Sequence, residues 1–165
     1  MAVACPNPSP LVPHDFIMFH SILIVCVGNI CRSPMAEALM REAAPAQVRL
    51  ASAGIGALVD QPADPMAIEL MRARGIDLTG HRARQLTSAM VRQADLVLVM
   101  EERHREHVHA MLPVARGKVH LLGKWQQVEI PDPYRKDKQA FVQALQLIEQ
   151  GVEAWSRRIW GGEGR

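Results

Sequence analysis

Residues 21–34 read SILIVCVGNICRSP, and the rest of the chain is organised around this stretch. Its first half is an unbroken apolar run, which is typical of a strand buried on both faces, and we predict that strand over 21–27. Gly28 and Asn29 predict a tight turn, because both tolerate backbone conformations that other residues avoid. Ser33 is the expected N-cap of the following helix, with Pro34 at its first position. Such a strand–turn–helix unit turns its backbone N–H groups towards an anion.

Apolar runs and helical periods alternate along the remaining chain. Further strands are predicted over 48–53, 95–100 and 118–122, and helices over 64–74, 87–93, 101–112 and 137–160. This alternation favours an α/β fold, with a doubly wound four-stranded parallel sheet, right-handed crossovers and helices on both faces. We expect one domain over residues 18–165.

The first 17 residues show no periodicity and contain Pro6, Pro8, Pro10 and Pro13. Such a composition predicts a flexible extension. Deleting residues 1–17 is expected to leave activity unchanged.

Composition limits the class of protein. The chain has 165 residues and a formal net charge of +2, which is too little to indicate nucleic-acid binding. No apolar run approaches the roughly 20 residues of a membrane span, and the first residues lack the pattern of a secretion signal. The three cysteines are few and odd in number, which favours a reducing compartment, so we expect a cytoplasmic protein without membrane insertion.

Cys26 lies near the end of the first predicted strand, at the carboxyl end of the predicted sheet, where doubly wound folds bind their ligands. A helix N-terminus and a neighbouring arginine favour the thiolate form of a cysteine, and the thiolate is the nucleophile. Arg32 can bind two oxygens of a tetrahedral anion through parallel hydrogen bonds. Converging amides and a fixed guanidinium suit the loose, charged transition state of phosphoryl transfer. The loop therefore predicts a site for a phosphate monoester.

Two motifs together resemble the low-molecular-weight protein tyrosine phosphatase family. One is the loop Cys26–Pro34, and the other is Asp132-Pro133-Tyr134 near the end of the chain. The resemblance extends from about Met18 to Trp160 and implies the flavodoxin-like fold of that family. It also implies that neither a metal nor a cofactor is needed.

The resemblance assigns roles to individual residues. Cys26 would attack phosphorus, Arg32 would bind the phosphoryl oxygens, and Asp132 would act as general acid and then general base. Residues expected to contact the substrate are Val27, Gly28, Asn29, Ile30, Cys31, Ser33, Leu58 and Tyr134. Residues expected to support the loop by hydrogen bonds are Asn29, Ser33, Ser52 and His81. Cys31 matches a second thiol that can pair reversibly with the nucleophile and protect it from oxidation.

Within the family the chain is most similar to the bacterial branch that acts on tyrosine autokinases of capsule and exopolysaccharide export. Leu58 and Arg135 stand where eukaryotic members usually carry aromatic residues, so we expect an aliphatic pocket wall with a basic rim. The implied partners are a phosphotyrosine protein of the autokinase type, and inorganic phosphate as product and inhibitor.

Three alternative interpretations have less support in the sequence. An arsenate reductase of the same fold needs further redox cysteines, and no cysteine follows Cys31. A non-catalytic phosphotyrosine-binding domain would need neither Cys26 nor Asp132. The histidines at 104, 107 and 109 suggest a metal site, but their spacing does not match known zinc motifs, and a solvated basic helix face is expected instead.

Overall fold

The computed structural model describes residues 19–161. Four parallel strands form one sheet in the order β2-β1-β3-β4. The strands are β1 Ser21–Cys26, β2 Arg49–Gly54, β3 Leu96–Val99 and β4 Val119–Leu121. The helices are α1 Arg32–Ala43, α2 Pro65–Arg72, α3 Ser88–Gln93, α4 Glu102–Met111 and α5 Lys138–Trp160, with short 3-10 helices at Pro113–Lys118 and Lys124–Gln126. The predicted α/β class and parallel sheet are confirmed.

Both faces of the sheet are covered, which explains why its central strands are apolar throughout. Ile22 and Ile24 of β1 face a core that also contains buried residues of α1, α2 and α5. Leu23 and Val25 point to the opposite face, towards a second core formed with α3 and α4. Because successive side chains of a strand alternate between faces, two helical layers require an unbroken apolar run.

The order of the strands determines where a ligand-binding crevice can form on the sheet. The chain leaves β1 for β2 on one side, and later returns to pair β3 with the other side of β1. In doubly wound folds this reversal opens a crevice beyond the carboxyl ends of the two central strands. Cys26 is the last residue of β1, and Glu101 lies two residues after the end of β3. Both residues therefore reach the crevice.

The predicted cap of α1 is wrong: the helix begins at Arg32 with Cys31 as N-cap, so Ser33 and Pro34 lie inside its first turn. Ser33 cannot serve as the cap because its hydroxyl is turned back towards Cys26 and Asn29.

The predicted extension, residues 1–17, lies outside the described residues. Among the helices of the described part, none is both long and apolar enough to cross a membrane.

Candidate active site

The loop between β1 and α1 is held open by bonds to its carbonyl oxygens. The carbonyls of Cys26, Val27, Gly28 and Ile30 accept hydrogen bonds from backbone N–H groups of the segment after β2, over 2.8–3.1 Å. The carbonyl of Asn29 accepts a bond of 2.6 Å from His81 Nε2. Since these oxygens are engaged outside the loop, its N–H groups are left to face an anion at the centre.

Cys26 lies at the base of this loop and is 3% exposed. Its Sγ is 2.9 Å from the Ser33 hydroxyl, which can donate to a thiolate. Cys31 and Arg32, at the start of α1, line the same pocket as Cys26, so the positive end of the helix dipole lies at this pocket. A hydroxyl group and a helix N-terminus therefore both lie at the pocket that contains the Cys26 sulfur.

Asn29 holds the turn of the loop in a left-handed conformation, with φ of 58°. Its side-chain amide donates to the hydroxyls of Ser33 at 2.8 Å and Ser52 at 3.0 Å. Its Oδ1 accepts from the backbone N–H of Arg84 at 2.9 Å. Asparagine is one of the few residues that tolerates this backbone region and can also tie the loop to its neighbours.

Arg32 is a buried cation with several partners. It is 1% exposed, and its Nη1 donates to Glu101 Oε1 at 2.6 Å and to the carbonyl of Ile130 at 2.8 Å. Its Nη2 is 3.5 Å from Asp132 Oδ2. A guanidinium fixed in this way at the edge of the loop can receive phosphoryl oxygens without rearranging.

Glu101 and His104 form the support beneath Arg32. Although burial opposes ionisation of Glu101, hydrogen bonds from Arg103 and Arg32 prevail and lower its pKa to about 2. His104 is 2% exposed, and its Nδ1 accepts from the Glu101 backbone N–H at 3.2 Å. Burial, and then the charge of Arg32, lower the pKa of His104 to about 4. The prediction of a solvated helix face is therefore wrong for His104, because its side chain turns into the core at the start of α4.

Asp132 and Tyr134 form the outer side of the pocket. Asp132 Oδ1 accepts from the Tyr134 backbone N–H at 3.1 Å, which fixes the carboxylate near Arg32. The pocket has a volume of about 110 Å³ and also contains the loop residues and Leu58. Leu58 and Tyr134 are 39% and 37% exposed, so they form its rim. The guanidinium of Arg135 lies 5.2 Å from the centre of the Tyr134 ring, which places a positive charge beside this rim.

Cys31 also lines the pocket and is buried. Burial raises the pKa of its thiol well above the ordinary value, and the Asp64 carboxylate adds to the effect. The neutral thiol is a poor nucleophile, so Cys26 is the better placed of the two cysteines for attack. Protective pairing of Cys31 with Cys26 stays a prediction.

The structure brings the residues named from the sequence into one site. The pocket lining contains Cys26, Val27, Gly28, Ile30, Cys31, Arg32, Leu58, Asp132 and Tyr134, while Asn29, Ser33, Ser52 and His81 lie behind the loop. The contacts of Glu37 with Ser52, of Arg84 with Asn29 and of Glu101 with Arg32 were not predicted from the sequence. Only Glu101 had a usable signal, because a charged residue just beyond a buried parallel strand faces the ligand crevice. Among the described residues, no cluster of potential metal ligands is found.

Comparison with known proteins agrees with this geometry. The family model for low molecular weight phosphotyrosine protein phosphatase matches residues 21–161. A probable low molecular weight protein-tyrosine-phosphatase, EpsP of Ralstonia nicotianae, is 51% identical over 142 residues, which are 86% of this chain and 97% of EpsP.

Solved structures show the same relationship. The tyrosine phosphatase Wzb from Escherichia coli K30 in complex with sulphate is 48% identical, with a TM-score of 0.82, over 86% of this chain and 99% of that one. Wzb in complex with phosphate is 49% identical, with a TM-score of 0.79, over 86% of this chain and 93% of that one. The chain therefore belongs to the low molecular weight phosphotyrosine protein phosphatase family and is a protein-tyrosine-phosphatase.

Proposed function

We propose that this phosphatase hydrolyses phosphotyrosine through a phosphocysteine intermediate formed on Cys26. The main support for the proposal is that Cys26, Arg32 and Asp132 line the same pocket, which has a volume of about 110 Å³. A nucleophile, a fixed cation and a carboxyl group are the components that covalent hydrolysis of a phosphate monoester requires.

In the first step the Cys26 thiolate attacks phosphorus and forms the sulfur–phosphorus bond. The bond from phosphorus to the phenolic oxygen breaks, and Asp132 in its protonated form gives its proton to that oxygen. Arg32 and the loop N–H groups bind the three remaining phosphoryl oxygens, whose charge they stabilise in the transition state.

In the second step a water molecule attacks the phosphocysteine. Asp132, now a carboxylate, accepts the proton of the water, while the sulfur–phosphorus bond breaks and Cys26 leaves as the thiolate. Inorganic phosphate is released and can bind the same loop as an inhibitor. The solved complex of the relative Wzb with phosphate supports this last inference.

Two features of the rim favour an aromatic phosphoester. Leu58 and the Tyr134 ring flank the pocket and can contact the faces of a phenyl ring. Arg135 keeps a positive charge next to Tyr134, which favours an anionic phosphoprotein surface around the phosphotyrosine.

The similarity to the bacterial branch extends the proposal to a physiological substrate. We infer that the phosphatase acts in the cytoplasm on a tyrosine autokinase that controls export of capsule or exopolysaccharide. Two cysteines in one catalytic loop fit a reducing compartment.

Replacement of the nucleophile and of the acid tests the mechanism. Cys26→Ser should abolish hydrolysis of p-nitrophenyl phosphate but still bind phosphate, because the loop and Arg32 remain. Asp132→Ala should slow the hydrolysis about 10²- to 10⁴-fold, the usual contribution of a general acid. Normal turnover by Cys26→Ser would reject the covalent route, whereas a catalytically inactive wild-type protein would favour a phosphotyrosine-binding module.

A purified polysaccharide-export autokinase, autophosphorylated with ATP, tests the substrate. The wild-type phosphatase should release inorganic phosphate from its phosphotyrosines, and Cys26→Ser should not. If p-nitrophenyl phosphate is hydrolysed but the autokinase keeps its phosphate, the phosphatase mechanism stands and the autokinase proposal fails.

A further inference from the structure

A chain of hydrogen bonds connects the sulfur of Cys26 to a carboxylate outside the phosphate-binding loop. Cys26 contacts Ser33 at 2.9 Å, and Asn29 contacts both Ser33 and Ser52. Ser52 in turn contacts Glu37 Oε2 at 2.6 Å. Asn29 and Ser33 are fully buried and Ser52 is 2% exposed, so the bonds that join these three side chains are shielded from water.

The directions of these bonds follow from Arg84 and Glu37 at one end and, at the other, from the proposed thiolate form of Cys26. Arg84 donates its backbone N–H to Asn29 Oδ1, so the amide NH₂ of Asn29 must face the two serines. Both serine oxygens then accept from Asn29, and each keeps one hydrogen to donate. Ser52 gives its hydrogen to Glu37, which can only accept, and Ser33 is left to donate to the Cys26 thiolate.

Glu37 is itself held in place on α1. Its side chain is 16% exposed, and its Oε1 accepts from Arg41 at 2.8 Å. Arg41 also donates to the carbonyl of Leu50 in β2 at 3.2 Å. The acceptor for Ser52 is therefore part of the rigid packing of α1 against β2.

We propose that Glu37 is a positioning residue that keeps the Ser33 hydroxyl directed at the nucleophile, acting through Ser52 and Asn29. Without the Glu37 carboxylate the Ser52 hydroxyl loses its charged acceptor and is free to turn, and the Asn29 amide bonded to it shifts with it. The Ser33 bond to the thiolate then weakens. This inference depends on the proposed role of Cys26 as nucleophile.

The test compares Glu37→Met, which removes the acceptor, with Glu37→Gln, whose carbonyl can still accept from Ser52. We expect kcat/KM for p-nitrophenyl phosphate to fall about 3- to 10-fold in Glu37→Met and to stay within about twofold in Glu37→Gln. Alkylation of Cys26 by iodoacetamide, measured against a Cys26→Ser blank, should require a pH about 0.5 to 1 higher in Glu37→Met. Glu42→Met, an exposed position on the same helix, should match the wild type.

A double variant separates positioning from a general loss of packing. Ser52→Ala should reproduce the effect of Glu37→Met, and combining the two should add nothing further, because both interrupt one chain of bonds. Additive effects would overturn the inference, and so would an unchanged Glu37→Met. If Glu37→Met and Glu37→Gln both shift alkylation to lower pH, the charge of Glu37 acts directly and the inference is wrong.

The alkylation readout can be interpreted separately from the proposed covalent route. Alkylation measures the state of the Cys26 thiol whether or not the enzyme forms a phosphocysteine. Full turnover by Cys26→Ser would reject the proposed function, whereas a wild-type alkylation profile in Glu37→Met would reject only the inference.

Discussion

Arg32 is a charged side chain in the interior, and its partners explain how the fold tolerates it. Removing an ion from water costs several kcal/mol unless close partners compensate. Glu101 and the Ile130 carbonyl provide those partners at 2.6 and 2.8 Å, and both come from segments at the carboxyl edge of the sheet. The same contacts leave the other side of the guanidinium directed at the pocket, so the cost of burial is offset by bonds that also orient the residue for phosphate.

His104 makes the fold sensitive to acid. Its pKa is lowered from 6.5 to about 4 in the folded protein. Between these values the unfolded chain binds a proton on this residue and the folded chain does not, so stability is lost as the pH falls from about 6.5 to about 4. We predict that His104→Gln lacks this loss, since Gln can accept from the same backbone N–H without titrating.

Urea unfolding at about pH 7 and pH 4.5 measures how the free energy of unfolding of the wild type and of His104→Gln changes with pH. On acidification the wild type should lose about 2 kcal/mol more than His104→Gln. His107→Gln, at an exposed position of the same helix, should follow the wild type. An equal loss in wild type and His104→Gln would contradict the prediction.

Gly54 at the end of β2 controls the shape of the catalytic loop. A Cβ placed there would lie 2.4 Å from the Val27 carbonyl oxygen and 3.0 Å from the Asn29 nitrogen. These are backbone atoms that cannot turn aside, so β2 approaches the loop closely only because the residue is glycine.

We predict that Gly54→Ala displaces the loop and lowers both stability and catalysis. Overpacking of this kind costs about 1–3 kcal/mol, and the loop N–H groups and Arg32 lose their alignment. Thermal unfolding and kcat for p-nitrophenyl phosphate measure the two effects. Gly117→Ala, where a Cβ meets open space, is the matched control and should change neither. A fully active Gly54→Ala would show that the loop can move without loss.

The phosphate site joins segments that are distant in the sequence. The catalytic loop follows β1, Glu101 follows β3, and Asp132 lies between β4 and α5. A ligand that bridges these segments should therefore stabilise the whole molecule, because it binds only when they are assembled.

We predict that inorganic phosphate at about 100 times its Kd raises Tm by about 5–10 °C in the wild type and in Cys26→Ser. Arg32→Lys keeps a cation beside Glu101 but loses the planar fork, so its shift should be less than half as large. Sodium chloride at equal ionic strength is the control for unspecific salt effects. Equal shifts in Arg32→Lys and wild type would show that the amides alone bind the anion.

The sequence by itself determined the fold class and most of the site. The unbroken apolar strands indicated a sheet covered on both faces, and the loop of Cys26 with Asp132 indicated phosphate chemistry, because these signals are local and lie in consecutive residues. Only the tertiary structure revealed Glu37, Glu101 and the burial of His104, and it showed that Ser33, which was expected both to cap α1 and to support the loop, does not cap the helix. These features depend on contacts between residues up to 69 positions apart, such as Arg32 with Glu101, and on hydrogen-bond directions that residue types alone leave open.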